Sequence, residues 1–554
     1  MDKIWLKSYP PTVPAEVDAT QLRSLKELLE KACAAYADRV AYVQMGTELT
    51  YRELDELSRA FAAWLQHAGF RKGDRFAIML PNMLQYPIAL FGALRAGLVV
   101  VNTNPLYTAP ELEHQLSDAG ASGIVVIENF AHVVEKVVPR TAVKRVLVTA
   151  AGDLLDFPKS AIVNFVVRHI RRRVPAWSIP GAVSFKAALA EGRRLPYRAV
   201  EVGPDDLAFL QYTGGTTGVS KGAMLSHGNV SVNVLQSEAW NQRLSSESGV
   251  LITAIPLYHI FALTANCMLF VRLGWKNVLI INPRDVPAMI ADMRKYPCNY
   301  LSGVNTLFNA LLHAPGFDQI DFSGLKVTLG GGMAVQATVA ERWKEATGCV
   351  LTQAWGLTET SPAACINPND APFNGSIGLP IPSTEVSIKD DAGNDRQLGE
   401  LGEICVRGPQ VMRGYWNRPD ETAKVMLPGG WLRTGDLGRM DQRGFVYIED
   451  RKKDMILVSG FNVFPNEVEA AAVSCPGVLE AAAVAQPDEY SGEVVALFVV
   501  RKDPALTEQQ IVECCRQSLA PYKVPKHVYF KNELPKSNVG KILRKTLREE
   551  FVRT

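Results

Sequence analysis

Hydrophobic residues recur at helical spacing in residues 25–36 and 111–119, and elsewhere gather into short runs rich in β-formers: ALFGALRAGLVVVN, GIVVIE, KRVLVTA, KNVLIIN and LKVTLGGG. Apolar positions three and four apart mark one face of a helix, whereas a short unbroken apolar run marks a strand buried on both faces. Their alternation from about residue 25 to 380 predicts parallel sheets with helices on both sides. After Pro382 the texture changes to short alternating strands around Gly and Asp turns, which predicts a small antiparallel or barrel-like piece. From Pro465 the order is helix (467–474), strands (478–484, 494–500), helix (508–519) and a terminal helix after Gly540, a compact α+β unit.

Two apolar stretches invite a membrane reading. Residues 251–271 carry no formal charge over a bilayer-spanning length, but Pro256, His259 and Asn266 break them, so a buried strand, loop and helix fit better. Residues 157–174, FPKSAIVNFVVRHIRRRV, place Ile162, Val166, Ile170 and Val174 on one helical face with Lys159, Arg168, Arg171, Arg172 and Arg173 at its ends and flanks. Such a basic amphipathic helix suits peripheral contact with an anionic membrane, and it equally suits a surface helix packed on the large domain.

Composition narrows the class. With 554 residues, 47% hydrophobic and 21% charged, the chain has material for more than one domain. A net charge of +2 gives no argument for nucleic acid as a partner. The nine cysteines form no CxxC pair, which points to reduced thiols, a cytoplasmic location and no zinc site. The opening MDKIWLKSYPPTVPAEVD lacks the apolar core of a signal peptide, so secretion is not expected. The charged run EDRKKD, residues 449–454, coincides with the break before the last unit and is a hinge candidate.

Chemistry concentrates in residues 212–222, YTGGTTGVSKG. Gly214, Gly215, Gly218 and Gly222 let backbone N–H groups converge on an anion, Thr213, Thr216, Thr217 and Ser220 add hydroxyls, and Lys221 adds a mobile positive charge. Residues 207–210 look like the buried strand that delivers this loop. In a P-loop the lysine follows the last glycine and precedes Ser or Thr; Lys221 lies between Ser220 and Gly222, so kinase or GTPase chemistry does not follow.

Further motifs make little sense as core: LGGGM (329–333), AWGLTETSP (354–362), GWLRTGDLG (430–438), DRKKDMILVSGFNVFPNEVE (450–469) and PKSNVGKILRK near the end. In this order, over most of the chain, they resemble the acyl-adenylate-forming enzymes, a superfamily of acyl-CoA ligases, luciferases and peptide-synthetase adenylation domains. NTNPLYTAPELEHQLSDAGA (102–121) and PLYHIFALT (256–264) are most similar to its bacterial long-chain fatty-acid CoA ligases. The resemblance implies an α/β fold: a large N-terminal domain, residues 1–450, with two helix-flanked sheets and a β-barrel-like part at about 381–450. A hinge at 451–454 and a small mobile α+β domain at 455–554 complete it. It implies activation of a fatty acid by ATP with Mg²⁺ through acyl-AMP, transfer to coenzyme A, and supply of fatty-acid breakdown or lipid synthesis. It also implies a homodimer.

Carried over residue by residue, the resemblance has residues 213–221 (Thr213, Gly214, Gly215, Thr216, Thr217, Gly218, Lys221) hold the triphosphate, with Thr216 near the metal. Glu359 is the Mg²⁺-linked carboxylate, and Thr358 binds the α-phosphate. Gly330, Gly331 and Gly332 lie flat against adenine, and Trp355, where the family usually has Tyr, stacks on it. An indole has only an N–H donor, so any contact of a phenol oxygen is lost there. Asp436 and Arg451 bind the ribose hydroxyls, and Lys541 neutralises charge between the attacking carboxylate and the α-phosphate. Lys453 is the hinge residue, and Ser459 and Gly460 line the coenzyme A path after rotation. His259 is either a satisfied core histidine or a positioning group beside the acyl pocket. Residues 261–271 and 301–312 have the aliphatic character of a tunnel and equally that of a core. A ligase for medium-chain, short-chain or aromatic acids, an acyl-AMP ligase loading a carrier protein, and a non-catalytic nucleotide-binding scaffold remain as alternatives. The joint presence of Lys221, Glu359, Asp436, Arg451 and Lys541 argues against the scaffold.

Overall fold

Ser24 accepts from the Glu27 N–H at the head of helix Leu25–Tyr36, and Thr50 and Glu53 form a reciprocal capping box on Tyr51–His67. Side chains thereby satisfy N–H groups that no helical carbonyl can reach. The computed structural model describes residues 3–213, 220–244, 248–488, 490–537 and 539–551. Within them a seven-stranded sheet runs in the order Val183–Ser184, Arg145–Thr149, Gly123–Ile127, Arg75–Met79, Val99–Asn102, Leu207–Thr213, Lys221–Ser226. It is parallel except for the last strand, which turns back on Leu207–Thr213.

A second sheet of nine strands has a parallel body ordered Val40–Gln44, Lys276–Leu279, Val250–Thr253, Tyr300–Gly303, Val327–Gly330, Leu351–Gly356. Antiparallel strands close both of its ends. The runs at 123–128, 144–150, 276–282 and 325–332 are strands, as their unbroken apolar character predicts.

Residues 89–102 do not follow that expectation. Most of the run belongs to helix Gln85–Arg95, and only Val99–Asn102 is a strand. Every residue of the helix is buried, so it has no polar face and the 3.6-residue rhythm disappears. A Cβ on Gly92 would fall 2.6 Å from Phe61 Cδ1, so the glycine lets helix Tyr51–His67 lie directly against it.

Residues 251–271 divide into strand Val250–Thr253, a loop, and helical turns that continue to Leu273. Among the described residues no helix is long and apolar enough to cross a membrane. The 157–174 segment is shorter than its pattern suggests: α-helix Lys159–Phe165 passes into π-helical Val166–Ile170. The wider i→i+5 winding dissolves the predicted i, i+4 stripe. Phe157, Ile162, Phe165 and Ile170 are the exposed apolar side chains, and Val166 is only half-exposed.

After Pro382 comes a five-stranded antiparallel sheet, Glu385–Lys389, Gly402–Arg407, Trp431–Met440, Met426–Leu427, with Val446–Arg451 also on Trp431–Met440. The last unit has its own five-stranded sheet around Gly492–Arg501. Helices Pro465–Val473 and Glu508–Arg516 bury one apolar cluster against it, and Arg544–Arg548 buries a second. The EDRKKD run is more than a solvated face. Asp450 is buried and receives Arg544 Nη1 at 3.1 Å and the Asn466 N–H at 2.8 Å, while Asp454 pairs with Arg548 at 3.4 Å.

Candidate active site

Where Leu351–Gly356 of the nine-stranded sheet meets Trp431–Met440 of the antiparallel sheet, Asp436 is fully buried. Its own N–H donates to Thr434 Oγ1 at 3.1 Å. Arg451, opposite it in the strand register, brings Nε to 2.5 Å from Asp436 Oδ1, and the Trp355 indole donates to Oδ2 at 2.9 Å. Oδ1 lies close to Arg451 yet accepts no well-aligned hydrogen bond among the described residues. A carboxylate has about four acceptor directions, so this one keeps unpaired ones, although Oδ1 is covered in this structure.

Lys541, from the last unit, lies near enough to Arg451 and Asp436 to feel both charges. The Ser537 N–H donates to Lys541 O at 2.7 Å, and the Lys541 N–H donates to Ser537 Oγ at 3.1 Å, which closes a tight turn. Gly540, at φ +81°, lies against Thr306, whose hydroxyl donates to Gly540 O at 3.2 Å. Burial, then the Arg451 cation, lowers the lysine to about 8 while Asp436 opposes them. The side chain therefore remains mostly an ammonium at neutral pH.

His259 is the next neighbour. Burial, and then Lys541, lower it to about 4, and its Nδ1 accepts from the Phe261 N–H at 3.3 Å. The proton therefore resides on Nε2, and the ring is a neutral donor at physiological pH. One nitrogen caps the turn at Ile260–Ala262, and the ring feels the Lys541 charge. Phe261 packs against the glycine run, since a Cβ on Gly331 would fall 3.2 Å from its ring. Gly330 ends strand Val327–Gly330, and Gly332 has a left-handed φ of +77°.

A second group lies between the antiparallel sheet and the loop strand. Thr358 and Glu359 occupy a 3₁₀ turn, Thr358–Thr360. Glu359 Oε1 accepts from the Tyr415 hydroxyl at 2.7 Å. Lys221 sits over the Tyr415 ring at 5.2 Å and pairs with Glu421. That pairing, with Lys424 beside it, holds the Glu421 carboxyl down at about 2. Thr213 ends its strand with its carbonyl accepting from Ser220 Oγ at 2.7 Å. Gly214, Gly215, Thr216, Thr217 and Gly218 lie outside the described residues.

Not every expected residue joins these groups. Lys453 is exposed in the turn after Arg451, near enough to Asp436 and Arg451 to feel both charges. Ser459 and Gly460 form the exposed tip between Ile456–Val458 and Phe461–Val463, at φ +51° and +86°. The Ser459 N–H donates to Ser491 O at 2.8 Å, within the last unit.

The order of these groups along the chain matches a known family. The AMP-binding enzyme family profile covers residues 29–416, and the profile of the AMP-binding enzyme C-terminal domain covers residues 467–541. The chain belongs to the AMP-binding enzyme family. This AMP-binding enzyme is 56% identical over 553 residues to a long-chain-fatty-acid–CoA ligase of Escherichia coli O157:H7, covering 99% of this chain and 98% of the relative. Its fold is similar to that of the anthranilate CoA ligase AuaEII in complex with anthranoyl-AMP, with a TM-score of 0.86 at 24% identity over 97% of this chain and 99% of the other. It is also similar to ATP-bound MatB from Rhodopseudomonas palustris, with a TM-score of 0.81 at 28% identity over 95% and 99%.

Sequence reading missed the residues of this AMP-binding enzyme that support others. Tyr415 and Glu421 sit in RGYWNRPDETAKV, where an aromatic cluster runs into an acidic helix start, a local signal that could have marked them. Arg544, beside Lys545 in a basic segment, reads as a surface residue. It is instead mostly buried and pairs with Glu469 at 2.7 Å as well as with Asp450.

Proposed function

We propose that this chain is a long-chain fatty-acid CoA ligase working in two half-reactions. In the first, the fatty-acid carboxylate attacks the α-phosphorus of ATP, a P–O bond to the carboxylate forms, and pyrophosphate leaves. In the second, the coenzyme A sulfur attacks the acyl carbonyl, the thiol proton passes to solvent, and AMP leaves. The observation that carries the reading is the Lys541 ammonium held within electrostatic reach of the Asp436–Arg451 pair, in a chain that is 56% identical to a long-chain ligase over 99% of its length. An anion attacking a polyanion needs fixed positive charge where negative charge builds up.

In this reading Asp436 and Arg451 take the ribose hydroxyls, Trp355 and residues 330–332 take the adenine, and Lys541 faces the carboxylate and α-phosphate. His259 donates from Nε2 toward the acyl carboxyl. Lys221, with Thr213 and the loop that follows, holds the leaving pyrophosphate. Glu359 is suited to a Mg²⁺ ion: Tyr415 occupies one oxygen, and the other accepts no hydrogen bond among the described residues. When bound, that ion neutralises phosphate charge. Lys453 serves as the pivot that withdraws Lys541 and brings Ser459 and Gly460 to the coenzyme A path.

Membrane contact belongs to the same proposal. Phe157 is 86% exposed and Ile170 65% exposed, and Arg171, Arg172 and Arg173 follow directly, all exposed. An apolar surface ending in three cations suits an anionic lipid interface, where long-chain acids partition. Replacing the three arginines with glutamate should lower binding to vesicles containing phosphatidylglycerol, and unchanged binding would remove this part of the proposal. The activity is tested by pyrophosphate release with acids from acetate to oleate, with and without coenzyme A. Release that favours long chains, with acyl-CoA formed only when coenzyme A is present, is the expected result. A preference for acetate or benzoate, or acyl transfer only to a carrier protein, would overturn it.

A further inference from the structure

Trp355 and Asp436 lie on strands of different sheets, 81 residues apart, and the 2.9 Å bond from indole Nε1 to Oδ2 joins the sheets at the site. The carboxylate also has a competitor. Arg451 Nε stands 2.5 Å from Oδ1, out of line for a good hydrogen bond. A carboxylate free to rotate would turn toward the guanidinium and form the bidentate pair that the two groups favour. Such a turn would use up the acceptor directions that are now unpaired. The indole N–H, fixed by its place on strand Leu351–Gly356, holds Oδ2 and with it the plane of the carboxylate.

We propose that Trp355 is a positioning residue for sugar recognition: its N–H orients Asp436 so that the free lone pairs face the ribose diol, coupling adenine contact to discrimination between ribose and deoxyribose. This rests on the reading of Asp436 as the ribose carboxylate. Phenylalanine keeps a flat apolar ring and removes the donor. Histidine is smaller, whereas tyrosine keeps the ring and carries its hydroxyl at the ring tip instead of an N–H at its edge.

The test uses the full-length enzyme and measures pyrophosphate release with ATP and with 2′,3′-dideoxy-ATP, for wild type, Trp355→Phe and Trp355→Tyr. Wild type is expected to prefer ATP. Trp355→Phe should raise KM for ATP about tenfold, as expected for loss of a hydrogen bond to a charged group, with kcat within about twofold. KM for the dideoxynucleotide should rise less than for ATP, only by what the smaller ring loses in stacking on adenine. Trp355→Tyr should show the same collapse of preference, and it supplies the result if the phenylalanine variant melts well below wild type. If both variants weaken the two nucleotides equally, the indole acts by stacking alone and the inference is overturned while the ribose reading stands. If wild type itself makes no distinction between the nucleotides, the assignment of Asp436 fails and the inference fails with it.

Discussion

Replacing Lys541 with alanine should slow acyl-AMP formation by about 10²- to 10³-fold, the usual effect of removing one preorganised donor from a developing anion. Thioester formation from supplied acyl-AMP should be largely spared. The surroundings of the lysine add a pH signature. Burial first, and then Arg451, bring it from an ordinary 10.5 to about 8 against the pull of Asp436. At about 1.4 kcal/mol for each tenfold change, holding the ammonium there costs at most roughly 3 to 4 kcal/mol relative to water. The sign follows from a folded pKa below the unfolded one. The ammonium is penalised below pH 8, and the penalty fades as pH rises through 8 toward 10.5, so docking of the Lys541 turn in the empty enzyme strengthens in alkali. Catalysis runs the other way, because it needs the ammonium. In pyrophosphate-exchange assays without coenzyme A, kcat/KM for ATP reports the free enzyme and should fall about tenfold per pH unit above roughly 8. The descending limb of kcat should lie higher, since a bound triphosphate favours the charged lysine. Lys541→Ala should lose the limb. A limb that survives in the alanine variant, or two half-reactions that fall together, would refute the assignment.

Three other perturbations separate the half-reactions or the states of the site. Asp450→Ala removes the buried carboxylate that joins strand Val446–Arg451 to Arg544 and Asn466. It should slow adenylation about tenfold and lower the melting temperature, since breaking a buried pair leaves a charge less well compensated, while thioester formation is spared; a larger loss in the thioester step would count against it. Glu421→Ala frees Lys221 from its ion pair and should lower KM for ATP by a factor of about two to five, as removal of a partly exposed competing charge would. A rise in KM would mean that Glu421 helps to place the lysine instead. Lys453→Pro restricts φ in the turn after Arg451 and should impair the thioester step more than adenylation when the two are measured separately, and equal effects would sink the pivot.

Much of the architecture was legible because it is local. Strands such as Gly123–Ile127 and Arg145–Thr149 are unbroken apolar runs, and Leu25–Tyr36 carries its period and its Ser24 cap within a few residues. Helix Gln85–Arg95 was misread for an equally physical reason: burial on every side erases the polar face by which a helix is recognised. The motifs that carry Asp436, Glu359 and Lys541 stand out as residue types that packing alone does not require.

By itself, then, the sequence determined most of the alternation of strands and helices, the composition break near residue 450 and the motifs that packing alone does not require, because each is written in neighbouring residues. Only the tertiary structure decided how those groups are used. It spends Trp355 on Asp436 across 81 positions, Lys221 on Glu421 across 200 and Arg544 on Asp450 across 94. It also lowers Lys541 to about 8. Charge and hydrogen-bond strength depend on distance through space and on burial, and neither is a property of one residue or its neighbours along the chain.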